Sequence, residues 1–178
     1  MVELALLQSI SYIAGASGVC IGALYYVLSL REQTRNRRVT LTNILMQSFV
    51  SREGLRLLED LWLMEWSGFD DFVKKYDSTV NPDNYAMRNS VFLMCEVLGR
   101  QYKSGVIDLD TLFSTCSTNI TQLWVKFKPI IEEYRKRGVY SKIEFENFEY
   151  LAGELADLLE KRDPQYVNSP AYLRMPVK

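Results

Sequence analysis

Between Glu3 and Arg31 the chain carries twenty-seven consecutive residues, 4–30, with no aspartate, glutamate, lysine or arginine. A helix rises about 1.5 Å per residue, so roughly 20 apolar residues cross the hydrocarbon core of a bilayer. The run exceeds that length and contains no proline. Its polar side chains (Gln8, Ser9, Ser11, Ser17, Ser29) are small or near an end, and a serine hydroxyl can bond back to the carbonyl one turn earlier. A buried core helix of a soluble protein rarely runs this far without a charge. Ala14-Gly15-Ala16 has the look of a leader-cleavage site, yet the preceding residues carry Glu3 and no basic residue, and the apolar run continues beyond it. The sequence therefore predicts a transmembrane helix over residues 6–30, after a short external segment of residues 1–5.

The flanks predict its orientation. Arg31, Arg35, Arg37 and Arg38 follow the run with Glu32 as the sole acid among them, a basic juxtamembrane neck over residues 31–38. Arginines beside a span stay on the cytoplasmic face, which puts the N-terminus outside and the rest of the chain inside a cell membrane. The same arginines would meet anionic lipid headgroups. Within the span Gly15, Gly18 and Gly22 share a stripe with Ser11, Tyr25 and Ser29, and Gly18 to Gly22 is a GxxxG. Small residues let helix backbones approach closely, so this stripe is the candidate for packing against a second copy or another membrane helix.

Beyond the neck, about 140 residues suit one compact domain, over 39–163, with a loose tail over 164–178. Residues 39–178 hold 17 basic and 20 acidic side chains, an excess of three acids. A nucleic-acid binder would present a basic stripe there, and none is found outside the neck. Histidine is absent, which removes the commonest general base and transition-metal ligand. Cys20, Cys95 and Cys116 show no CxxC spacing; Cys95 and Cys116 sit in apolar helical surroundings, as core filler does. No cofactor is expected.

Strand periodicity is absent, so the fold class is all-α: the spanning helix continues into a cytosolic bundle of about four to five helices. Leu41, Ile44, Leu45 and Phe49, then Leu55, Leu58, Leu61 and Trp62, predict one long helix to about Met64, bent near Gly54. A short helix follows over residues 70–76. Asn81 and Pro82 open a helix that runs to about Ser104 and stops at Gly105. Asp108 caps the next, to about Arg137, interrupted by Pro129 and ended by Gly138. Ser141 with Glu144 reads as a capping box for the last helix, whose apolar face begins at Ile143, and Asp163-Pro164 ends it.

Among candidate sites Glu96 stands out, an acid inside an apolar run. A buried carboxylate must be paired or lose its charge, so it predicts an ion pair with Arg100 or Arg88, or an acid lining a pocket. Trp62 and Trp124, with Trp66, Tyr76, Tyr85 and Tyr102, could wall such a pocket, though aromatics at helical spacing usually fill cores. Asp70-Asp71 and Asp108-x-Asp110 lack the glycine and glutamate of a calcium loop and read as helix caps. Glu132-Glu133 and Arg135-Lys136-Arg137 read as a solvated helix end. No phosphate cradle, nucleophile elbow or zinc spacing occurs.

The order of anchor, arginine-rich neck, Leu-Leu-Glu-Asp-Leu-Trp, Asp-Asp-Phe-Val-Lys-Lys-Tyr, Cys-Glu-Val-Leu-Gly-Arg, Gly-Val-Ile-Asp and Gln-Leu-Trp-Val-Lys resembles a family of small prokaryotic membrane-anchored helical proteins of unknown function. The resemblance spans most of residues 10–160. It implies a helical domain defined by Trp62, Phe72, Tyr76, Glu96, Gly99, Gly105, Asp108 and Trp124, and it brings no catalytic residue. The functional expectation is a membrane-tethered scaffold or accessory subunit working through contact with an unknown cytosolic protein, and not an enzyme. The alternative is a ligand-responsive sensor with a pocket near Glu96 and Trp124.

Overall fold

The structure is a computed structural model that describes residues 2–167; the side chains of residues 2–10, 35, 37, 38, 41, 42, 45, 46 and 48 lie outside the described set. Among the described residues there are seven helices and no strand: α1 (Val2–Val50), α2 (Arg52–Leu63), α3 (Phe69–Tyr76), α4 (Pro82–Lys103), α5 (Leu109–Lys136), α6 (Glu146–Arg162) and α7 (Pro164–Val167). The chain divides into two units, residues 1–41 and 42–178.

The first unit is helix alone. Ser11–Thr34 is long and apolar enough to cross a membrane, and none of it is buried within the protein. Tyr12, Ile13, Val19, Ile21, Leu24, Tyr25, Tyr26 and Leu28 all lie open. Contiguous apolar surface on this scale is not sustained in water by a monomer. Nothing stands within 4 Å of where a Cβ would project from Gly15, Gly18 or Gly22, so the glycine stripe is uncovered. Thr34 and Thr40 return their hydroxyl protons to the carbonyls of Leu30 and Asn36, each at 2.9 Å.

The second unit is a helical domain with one core. The expected single helix to Met64 is corrected here: α1 ends at Val50, Ser51 adopts extended backbone, and its hydroxyl caps α2 by accepting the Gly54 amide at 2.9 Å. The disturbed apolar register around residues 51–54 is thus a helix break, not a bend. Phe49 is buried in the domain, Ile44 is exposed, and Leu41 and Leu45 have side chains outside the described residues.

Helix α6 packs against both α4 and α5. Glu96 meets Asn147 and Tyr102 meets Glu154, so α4 and α6 run in the same direction. Trp124 meets Phe148 while Arg162 meets Asp110, so α5 runs against α6. Phe92 of α4 sits at the junction, its ring centroid 5.1 Å from Phe127 of α5, 5.5 Å from Phe145 and 5.8 Å from Phe148. Such aromatic pairs contribute about 0.5–1.5 kcal/mol each beyond their buried area. Cys95 and Cys116 are buried free thiols in this core, and burial pushes the Cys116 thiol up to about 12.

Four ends follow the sequence. Asn81 accepts the Asn84 amide behind Pro82, Asp108 accepts the Thr111 amide at 2.7 Å, and Gly105 and Gly138 take left-handed backbone with φ of 68° and 73°. The start of the last helix does not. Residues 142–145 form turns, α6 begins at Glu146, and Ile143 is exposed. At the other end a four-residue helix, α7, occupies the start of the expected tail, and residues 168–178 lie outside the described residues.

Candidate functional site

Charged side chains packed within the domain reach main-chain groups at helix ends. Glu96 of α4 places Oε2 to accept the Asn147 amide at 3.0 Å and the Phe148 amide at 2.8 Å, while Oε1 accepts from Asn147 Nδ2 at 2.6 Å. These amides belong to the second and third residues of α6. They are donors that no carbonyl inside the helix can reach, and a carboxylate there also faces the positive end of the helix dipole. The residue in the N-cap position, Phe145, has no acceptor to offer; it is buried and in left-handed backbone with φ of 61°. Glu96 supplies from a neighbouring helix what a local serine or aspartate ordinarily supplies.

Gly99, one turn after Glu96, explains how close the two helices come. A Cβ at that position would overlap the backbone carbonyl of Asn147, so only glycine fits. Glu96 and Gly99 together form a latch: one binds the end of α6, the other lets it approach.

This replaces the expected ion pair. Among the described residues neither Arg88 nor Arg100 bridges Glu96, and Arg100 is exposed. Arg88, only 1 % exposed, uses Nη1 to donate to the carbonyl of Tyr76, the last residue of α3, at 3.2 Å and to Asn84 Oδ1 at 3.1 Å. Its guanidinium lies over Phe72 and Tyr85, and Nη2 has no hydrogen-bond acceptor. Burial holds its pKa below the usual guanidinium value.

Lys126 of α5 repeats the arrangement. It is 4 % exposed, donates to the carbonyl of Trp62 in the last turn of α2 at 2.6 Å, and lies over the Trp66 ring. Burial, only partly offset by the Glu65 carboxylate, pulls the amine down to about 8. Arg135 closes the set. It donates to the Glu144 carbonyl from both Nε and Nη2, pairs with Glu149 at 2.8 Å, and so pins the turn that leads into α6. The expected fully solvated end of α5 is corrected to that extent; Lys136 and Arg137 do pair with Glu133 on the surface.

Trp62 and Trp124 have separate roles in the packing. Trp62 supplies the carbonyl held by Lys126, and its Nε1 is buried without a partner. Trp124 stacks edge-on against Phe148, the same residue whose amide Glu96 binds. Arg31 is exposed, and the side chains of Arg35, Arg37 and Arg38 lie outside the described residues. Asp71 accepts the Ser67 amide and pairs with Lys75, both at 2.9 Å, and Asp108 binds Thr111; both aspartates serve helix starts. Sequence reasoning missed Lys126, Asn147 and Phe145. For Lys126 a signal existed: it lies three residues after Leu123 and four before Ile130, inside the apolar stripe of α5.

Among the described residues, open grooves on the domain surface include two of note. One, of about 510 Å³, has Phe69, Val73 and Val139 as its apolar walls and Lys74 and Arg137 at its edge. In it the Tyr134 hydroxyl donates to Asp77 at 3.2 Å. The other, of about 390 Å³, lies between the start of α2 and the middle of α4 and is lined by Gly54, Leu57, Ser90 and Met94.

No curated protein and no solved structure matches the chain. One family model does, over residues 13–155, which takes in the apolar segment, the Glu96–Gly99 latch, Arg88 and Lys126. The chain belongs to that family, described as Domain of unknown function (DUF4760).

Proposed function

We propose that this is a single-pass membrane protein, N-terminal side outside, whose helical domain works at the inner membrane face by protein–protein contact, as a scaffold or accessory subunit. The observation that carries the tether is the Ser11–Thr34 segment, uncharged as far as Leu30 and with none of its apolar window covered by protein. Lipid is the solvent that suits such a helix, because its backbone polar groups are satisfied within the helix itself. The arginines at 31, 35, 37 and 38 support the orientation. The contact role is supported by the way the buried cations Arg88 and Lys126 and the half-buried Glu96 are spent: each holds a helix end, which makes a rigid body that presents a surface.

Protease protection in sealed inside-out vesicles tests the orientation. Digestion of the helical domain from outside such vesicles is the expected result, and a fully protected domain overturns it.

A second reading, a ligand-responsive sensor, draws on the groove beside Tyr134 and Asp77 rather than on Glu96 and Trp124. Thermal-shift screening of the full chain against small metabolites separates the two. A reproducible stabilisation that Tyr134→Phe abolishes favours the sensor.

A further inference from the structure

We propose that α4 carries the contact surface and that its partner is a second copy of this chain, packed antiparallel through the stripe Asp83, Ala86, Ser90, Leu93, Val97 and Arg100. All six are exposed, and Leu93 and Val97 are large apolar side chains left 52 % and 42 % open. Their spacing alternates three and four, which puts them on one face of the helix along roughly 26 Å of its length. The remaining faces of α4 are already used: Val91, Phe92, Cys95, Leu98 and Gly99 point into the core.

The stripe is complementary to itself in one sense only. About its midpoint, between Val91 and Phe92, Asp83 mirrors Arg100, Ala86 mirrors Val97 and Ser90 mirrors Leu93. Turned antiparallel, two stripes set each aspartate against an arginine and each large apolar residue against a small one. Turned parallel, they set aspartate on aspartate and arginine on arginine. Among the described residues Asp83 and Arg100 take part in no ion pair within the chain. Ser90 has returned its hydroxyl proton to the Met87 carbonyl at 2.7 Å, so it offers a small surface with no donor to satisfy. Ser90 also borders the groove of about 390 Å³ formed with Leu57 and Met94, and this is where the partner's Leu93 arrives. A two-fold arrangement of this kind is isologous and closes on itself.

One helix-on-helix contact buries less than the roughly 1,200–2,000 Å² of a stable complex in free solution. Confinement of both copies to one bilayer raises their effective concentration and makes up the difference. The inference therefore rests on the membrane tether proposed above, and it deepens that reading by naming the partner.

Bismaleimide cross-linking of the full chain in membranes, on a Cys20→Ser background that keeps the buried Cys95 and Cys116, tests it. Leu93→Cys cross-links with itself. Asp83→Cys alone and Arg100→Cys alone do not, whereas the two co-expressed cross-link to each other. Asp83→Arg and Arg100→Asp each lower the Leu93→Cys dimer yield by roughly three- to tenfold, and the double exchange restores it. Self-cross-linking at both Asp83→Cys and Arg100→Cys, or none at Leu93→Cys, overturns the proposal. Membrane retention of the same variants, measured alongside, keeps that failure distinct from a failure of the tether.

Discussion

Glu96 and Phe148 are joined by a 2.8 Å hydrogen bond in which a carboxylate on α4 holds an amide in the first turn of α6, fifty-two residues further along the chain. The contact ties the two helices that run parallel in the domain, and Gly99 sets its closeness. Removing the acceptor leaves two backbone donors unpaired. Glu96→Ala should cost about 1–3 kcal/mol in urea unfolding of the full chain in detergent, and Glu96→Gln less, because an amide oxygen still accepts. Equal losses for the two would show that the negative charge, not the acceptor, is what α6 requires.

Gly99→Ala tests the close approach directly. The added methyl would overlap the Asn147 carbonyl, which belongs to backbone and cannot swing aside. A loss of at least 1–3 kcal/mol is expected, as for other overpacked sites. A neutral Gly99→Ala would mean that α4 and α6 separate without cost.

Phe145 reverses the usual order of alanine and glycine. Its backbone is left-handed, where a Cβ costs roughly 1–2 kcal/mol. Both Phe145→Ala and Phe145→Gly lose the contacts with Phe92 and Tyr140. The glycine variant should nonetheless be the more stable by about 1 kcal/mol, read as the difference in their thermal midpoints. An alanine variant as stable as glycine would place the turn elsewhere.

Lys126 predicts how stability changes with pH. Its folded-state pKa, about 8, lies below the 10.5 of the free amine, so between those values the unfolded chain binds the additional proton. Stability from this group therefore rises with pH across that window, by an amount on the order of 2–4 kcal/mol when complete. Tyr102 and Tyr140, pushed up to about 12 by burial, act in the opposite sense above pH 10. Comparing the full chain with Lys126→Met between pH 7 and 9.5 isolates the lysine. The upward slope should be present in the first and absent in the second.

Helix ends built from neighbouring residues were legible in the sequence; those built from distant ones were not. Asn81, Asp108, Gly105 and Gly138 each act within four residues of the backbone they satisfy, and each stands where reading along the chain puts it. Ser141 and Glu144 carry an equally good local signal and lose to Glu96, because tertiary packing moves the start of α6 four residues on. The oddity of Glu96 inside an apolar run was visible. Its partner was not, because a helix amide leaves no mark in the sequence, whereas Arg88 and Arg100 do. Lys126 was hidden for the same reason, its acceptor being a main-chain carbonyl.

The account turns on the solvent around Ser11–Thr34, and carbonate washing of native membranes addresses it most directly. The full chain should stay in the pellet and leave it only with detergent. Recovery in the aqueous supernatant without detergent would contradict the tether, and with it the orientation and the membrane-confined pairing of α4.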